Sequence, residues 1–98
     1  MASIIGVAHV TLSLDYSFSL KDKRQVVRSI TAKVRNQFNA GIAEVDDLDD
    51  MRVATLGIVC ISNQASHADE MLATIIQFIE RNLELGVVGE IETELIHV

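Results

Sequence analysis

The chain has 98 residues, 49% of them hydrophobic, with one cysteine and a formal charge of −6. That length builds one domain, residues 1–98, and the apolar share is enough to form its core without disulfides or a structural metal. One cysteine excludes a disulfide framework, no stretch nears the roughly 20 apolar residues that cross a bilayer, and the start MASIIGVAHV lacks a signal peptide's basic region. The expected setting is reducing and cytoplasmic, away from membranes.

Residues 3–15 alternate in character. Ile4, Ala8, Val10, Leu12 and Leu14 share one face, and Ile5, Val7, His9, Thr11 and Ser13 share the other. This predicts a strand with a core face and a mixed face. A turn over Asp15–Ser19 leads into a helix over 19–38, with Ser19 as N-cap and Asp22 three positions on, in a relative of the capping box. Leu20, Val27, Ile30, Val34 and Phe38 make its apolar face, and neither Gly nor Pro interrupts before Gly41.

Residues 40–46 predict a short strand and Asp46 to Asp50 an acidic loop. Residues 51–63 read as a long strand, apolar on both faces as central strands are. Gly57 inside it points to close packing by another group. Ser66 is the expected cap of a second helix, with Asp69 at the capping-box position and Ala68, Leu72, Ile75 and Ile79 on the buried side. Leu85–Gly89 turns the chain, and a last strand alternates Glu90, Glu92 and Glu94 against Ile91, Thr93 and Leu95.

The order β-α-β-β-α-β, with right-handed crossovers, predicts an α+β fold of the ferredoxin-like kind. Four antiparallel strands form one sheet with two helices on one face, and the other face is left open.

Charge is segregated along the chain. Six of the eight basic residues fall in 19–38 beside a single acid, Asp22, while the remainder holds thirteen acids and two bases. At 100° per residue, Lys21, Arg24, Arg28 and Arg35 fall within about a 60° stripe flanking the apolar face, and Lys23 and Lys33 lie off it. The stripe runs over roughly 20 Å, long enough to follow a phosphate backbone. Balance by acids of the same domain or of a partner is the plainer alternative.

The open face is expected to carry Ile5, Val7, His9, Thr11, Val53, Thr55, Gly57, Val59 and Ile61 beside Glu90, Glu92 and Glu94. Without an aromatic there, base stacking on the sheet is not expected, and the carboxylates repel phosphate. An apolar strip framed by polar groups fits protein contact instead, with Val7, His9, Val59 and Ile61 as a homodimer interface. The acidic loop lacks the register of a calcium-binding loop. His9, His67 and His97 have no ligand spacing, and Cys60 reads as a buried hydrophobe. No phosphate-binding, dinucleotide-binding or nucleophile-elbow motif occurs, so neither cofactor nor metal is expected.

Three stretches follow one another along the chain: Ser19-Leu20-Lys21-Asp22-Lys23-Arg24; then Arg35-Asn36-Gln37-Phe38-Asn39 running into Ala43-Glu44-Val45-Asp46; then Ala54-Thr55-Leu56-Gly57 closing with Ser62-Asn63. Together they resemble the small bacterial YlxP-like family of unknown function. The resemblance implies a ferredoxin-like fold, a cytoplasmic protein and no established enzymatic activity. Its members are commonly encoded beside transcription and translation factors and are sometimes likened to ribosome-binding factor A, which implies an RNA or ribosome role. Met51 stands where the family often has tryptophan, and Phe18 where it often has histidine.

The expected function is that of a non-enzymatic interaction protein. Lys21, Arg24, Arg28 and Arg35 would bind RNA or a ribosomal particle, and the sheet face would pair two copies. The alternative is a structural or regulatory homodimer whose stripe meets an acidic protein partner, without nucleic acid.

Overall fold

The computed structural model describes residues 3–98. Six elements follow one another: β1 (Ile4–Ser13), α1 (Leu20–Gln37), β2 (Gly41–Asp46), β3 (Val53–Ser62), α2 (Ala65–Asn82) and β4 (Val87–His97). The strands form one antiparallel sheet in the order β2-β3-β1-β4, so each helix crosses over a strand that it does not join. This is the ferredoxin-like arrangement, with the core between the sheet and both helices.

The alternation of β1 sets the two faces. Ile4, Ala8, Val10, Leu12 and Leu14 are buried, and so are Ala54, Leu56, Ile58 and Cys60 of β3. They meet Val27, Ile30 and Val34 of α1 and Ala68, Leu72, Ile75, Ile76 and Ile79 of α2. Burying each large aliphatic side chain contributes about 1.5–3 kcal/mol. Phe38 caps α1 from outside the helix and packs edge-on against Phe78, ring centroids 5.2 Å apart. At Gly57 a Cβ would lie 2.9 Å from Val45 Cγ1, so the side chain expected to crowd this glycine is that of Val45.

Ser19 caps α1 as its position suggests, accepting from the Asp22 N–H at 3.0 Å. Two local readings are corrected. Ser66 does not cap α2; the helix starts at Ala65 after Gln64, which makes no side-chain cap bond. Ser62 Oγ accepts from the Gln64 N–H at 3.1 Å, which shapes the turn ahead of the helix without capping it. The last strand begins at Val87, not Glu90, because the chain has already turned over Glu84 to Gly86, the last at φ 152°. Val10 and Leu12 of β1 face Ile91 and Val88, so a bulge puts one extra residue into β4 and breaks its alternation at Gly89 and Glu90.

The larger surprise is Lys23, fully buried at 0% exposure. Its Nζ donates to the carbonyl oxygens of Asp47 (2.7 Å), Leu48 (3.2 Å) and Val53 (3.2 Å) and sits 2.9 Å from Glu44 Oε2. Three ammonium protons thus go to three carbonyls, and the carboxylate neutralises the charge. A buried cation is stable only with such a shell, since desolvation costs several kcal/mol. The shell ties α1 to β2, β3 and the loop between them. Within that loop Asp47 adopts φ 60°, which Asp tolerates, and its Oδ2 accepts from Thr55 Oγ1 at 2.7 Å.

Lys23→Ala should therefore cost about 3–5 kcal/mol, because it leaves the half-buried Glu44 charge and three carbonyls without their shared cation. Urea denaturation reads this as a lower midpoint; a midpoint within error of wild type would show that the shell contributes little.

Candidate nucleic-acid interface

The N-terminal two-thirds of α1 presents Lys21, Arg24 and Arg28 to solvent, all exposed and on one flank. None of the three makes a side-chain hydrogen bond or ion pair among the described residues; the ion pairs there are Lys23–Glu44 and Lys33–Glu84. Arg35 continues the line, but its Nη2 donates to the Ile42 carbonyl at 2.8 Å, which holds it against β2. The four residues thus share a flank, with three wholly uncommitted cations and one partly committed. Lys33, off the stripe, bonds Glu84 Oε1 at 3.3 Å across to the turn that follows α2.

The open sheet face divides in two along the strands. At one end Ile61, Ile5 and Ile96 lie in one row across β3, β1 and β4, and Val59 and Val7 in the next. Glu94 stands opposite Val7 at the edge of that row. The other end is a hollow of about 480 Å³ lined by His9, Thr11, Val45, Asp46, Asp47, Thr55, Glu90 and Glu92. His9 pairs with Glu92 across the strands. Of the residues expected at an interface, Val7, Val59 and Ile61 belong to the apolar end, joined by Ile5 and Ile96, while His9 belongs to the acidic end.

Four carboxylates in the hollow make it repellent to phosphate, and no Phe, Tyr or Trp lines it. The aromatic side chains left in water are elsewhere. Tyr16 (70% exposed) and Phe18 (75%) stand in the turn just before α1, at the foot of the basic line. Tyr-Ser-Phe between a strand end and an N-cap has no core strand or helix to join, which is the sequence signal for their exposure.

Other reactive groups are structurally engaged. Cys60 is buried, and burial pushes its thiol above the ordinary range, with a backbone hydrogen bond at Gly6 opposing in part. Ser62 Oγ lies 2.9 Å from His67 Nδ1 at the start of α2. In the acidic loop, Asp46 Oδ1 accepts from the Asp47 N–H and Asp50 Oδ1 from the Arg52 N–H, each at 2.8 Å, so these acids hold the turn. Among the described residues no group of three His, Cys, Asp or Glu side chains is placed to hold a metal ion. No helix of the described chain is long and apolar enough to cross a membrane.

Residues 5–91 match the family model described as Protein of unknown function (DUF503). The chain belongs to this family. It is also 30% identical over 77 residues to the uncharacterized protein YlxP of Bacillus subtilis (strain 168), covering 79% of this chain and 84% of that protein. The resemblance to the YlxP-like family of unknown function is thereby established.

Among solved structures, a de novo designed ferredoxin-fold protein, LFR1 1, superposes with a TM-score of 0.54 at 18% identity, over 93% of this chain and 86% of that one. The designed protein Foldit4 gives 0.50 at 10% identity, over 98% and 96%. At such identities the likeness concerns the backbone fold alone.

Proposed function

We propose that this DUF503 member is a non-enzymatic, cytoplasmic interaction protein that binds RNA, in particular RNA of ribosomal particles, through the flank of α1. The observation that carries this reading is the line of Lys21, Arg24 and Arg28, exposed and without acidic partners among the described residues. A domain with net charge −6 that needed these cations only for internal balance has acids enough to pair them. Instead Glu90, Glu92, Asp46 and Asp47 gather around a hollow on the open face of the sheet. Cations left unpaired on one flank attract a polyanion and release its counterions, and the acidic face orients the encounter by repulsion.

Arg35 extends the line as a fourth contact with reduced freedom. The apolar end of the open face, with Val7, Val59 and Ile61 beside Ile5 and Ile96, supports pairing of two copies, with His9 at its border. A closed two-fold dimer would bury this patch and leave both basic flanks outward.

The same unpaired cations also suit an acidic protein partner. Co-purification separates the two readings: an RNA complex disappears on nuclease treatment, whereas a protein complex survives it.

Affinity for a ribosomal RNA fragment should fall with salt at a log–log slope of about −2 to −3, as three to four phosphate contacts on a single strand give. The Arg24→Glu, Arg28→Glu double variant should abolish binding and keep the urea midpoint, since both residues are exposed. Salt-insensitive binding, or none by the wild type, would refute the reading. For self-association, Ile61→Asp should shift the sedimenting species from dimer to monomer; a wild type that stays monomeric at every concentration would contradict the pairing.

A further inference from the structure

Next to the basic line, the β1–α1 turn, the first two turns of α1 and the α2–β4 turn enclose a hollow of about 230 Å³. It is lined by Tyr16, Ser17, Asp22, Gln25, Val26 and Leu85. Two of these polar groups are already fixed. Asp22 Oδ2 accepts from the Phe18 N–H at 3.0 Å, and Ser17 Oγ donates to the Ser19 carbonyl at 3.0 Å. The Gln25 carboxamide has no partner among the described residues and offers both a donor and an acceptor. Tyr16 and Leu85 keep most of their apolar surface in water at the rim, at 70% and 51% exposure.

The helix places this hollow against the cations. Gln25 follows Lys21 by four residues and precedes Arg28 by three, so the three side chains are neighbours on the helix surface. A group seated against Gln25 is therefore within a side chain's reach of two unpaired positive charges. An aromatic ring, an aliphatic wall, a carboxamide and flanking cations together match a flat heterocycle that carries a phosphate.

We infer that the hollow receives an unpaired base of single-stranded RNA, stacked on Tyr16 and hydrogen-bonded at its edge by Gln25, while its phosphates lie along Lys21 and Arg28. This rests on the RNA reading above and sharpens it. A duplex keeps its bases paired and stacked inside, so it can engage the basic line but not the hollow.

Tyr16 is the single tyrosine of a chain without tryptophan, so Tyr16→Trp puts one indole at the rim as a reporter. Its fluorescence is followed during titration with oligo(A), with oligo(U) and with the duplex they form, exciting where nucleotides do not absorb. Affinities of the wild type and Tyr16→Ala are measured in parallel, with circular dichroism to verify folding. The single strands should quench the indole and the duplex should not. Tyr16→Ala should weaken single-strand binding roughly 5- to 150-fold, the range one base stack supplies, with duplex affinity and salt slope unchanged. Equal single-strand affinity of wild type and Tyr16→Ala, or equal quenching by duplex, would overturn the base site and leave the basic line standing. No binding of any of these RNAs by the wild type would overturn both.

Discussion

The buried ammonium of Lys23 fixes the rotation of α1 about its own axis. Held by the carbonyls of Asp47, Leu48 and Val53 and by Glu44, it must point at the sheet. At 100° per residue, Arg24, Arg28 and Lys21 then fall roughly 100–160° away, on the solvent side. The cation that the core consumes thus decides where the others are displayed. The same shell pins the β2–β3 loop, so its acids are used in turn geometry rather than left to approach the basic flank.

This arrangement gives the domain two electrically opposed surfaces. The flank of α1 is positive and uncompensated, whereas the open sheet face carries carboxylates around one hollow and aliphatics at its far end. Proteins of this topology that read RNA on the sheet place aromatics there. Here the exposed aromatics, Tyr16 and Phe18, lie at the start of the basic helix instead. Exposed aromatic rings and unpaired cations are therefore together, away from the sheet.

Much of this was legible in the sequence because it is local or periodic. Alternation in β1 and β3 assigns both sheet faces, and Ser19 with Asp22 marks the start of α1. The change of period at Leu20 separates the strand from the helix, and the element order then leaves one topology. What escaped depends on partners distant in sequence. The oxygens around Lys23 come from residues 21 to 30 positions away. Even so, a lysine in phase with Leu20, Val27, Ile30 and Val34 was the available signal that one cation was not on the surface. The hollow at Tyr16 needs Leu85 brought across from the α2–β4 turn, which no local pattern foretells. The bulge at Gly89 and Glu90 disrupts alternation, so the start of β4 looked like a turn.

The claim that α1 and its leading turn, and not the sheet, form the RNA surface is tested most directly by an amide chemical-shift map of the protein titrated with single-stranded RNA. The perturbed signals should cluster from Asp15 to Arg28, reach Arg35 more weakly, and leave the open-face residues of β1, β3 and β4 unmoved. Perturbations centred on His9, Thr55 and Glu92, or a spectrum that does not change, would contradict it.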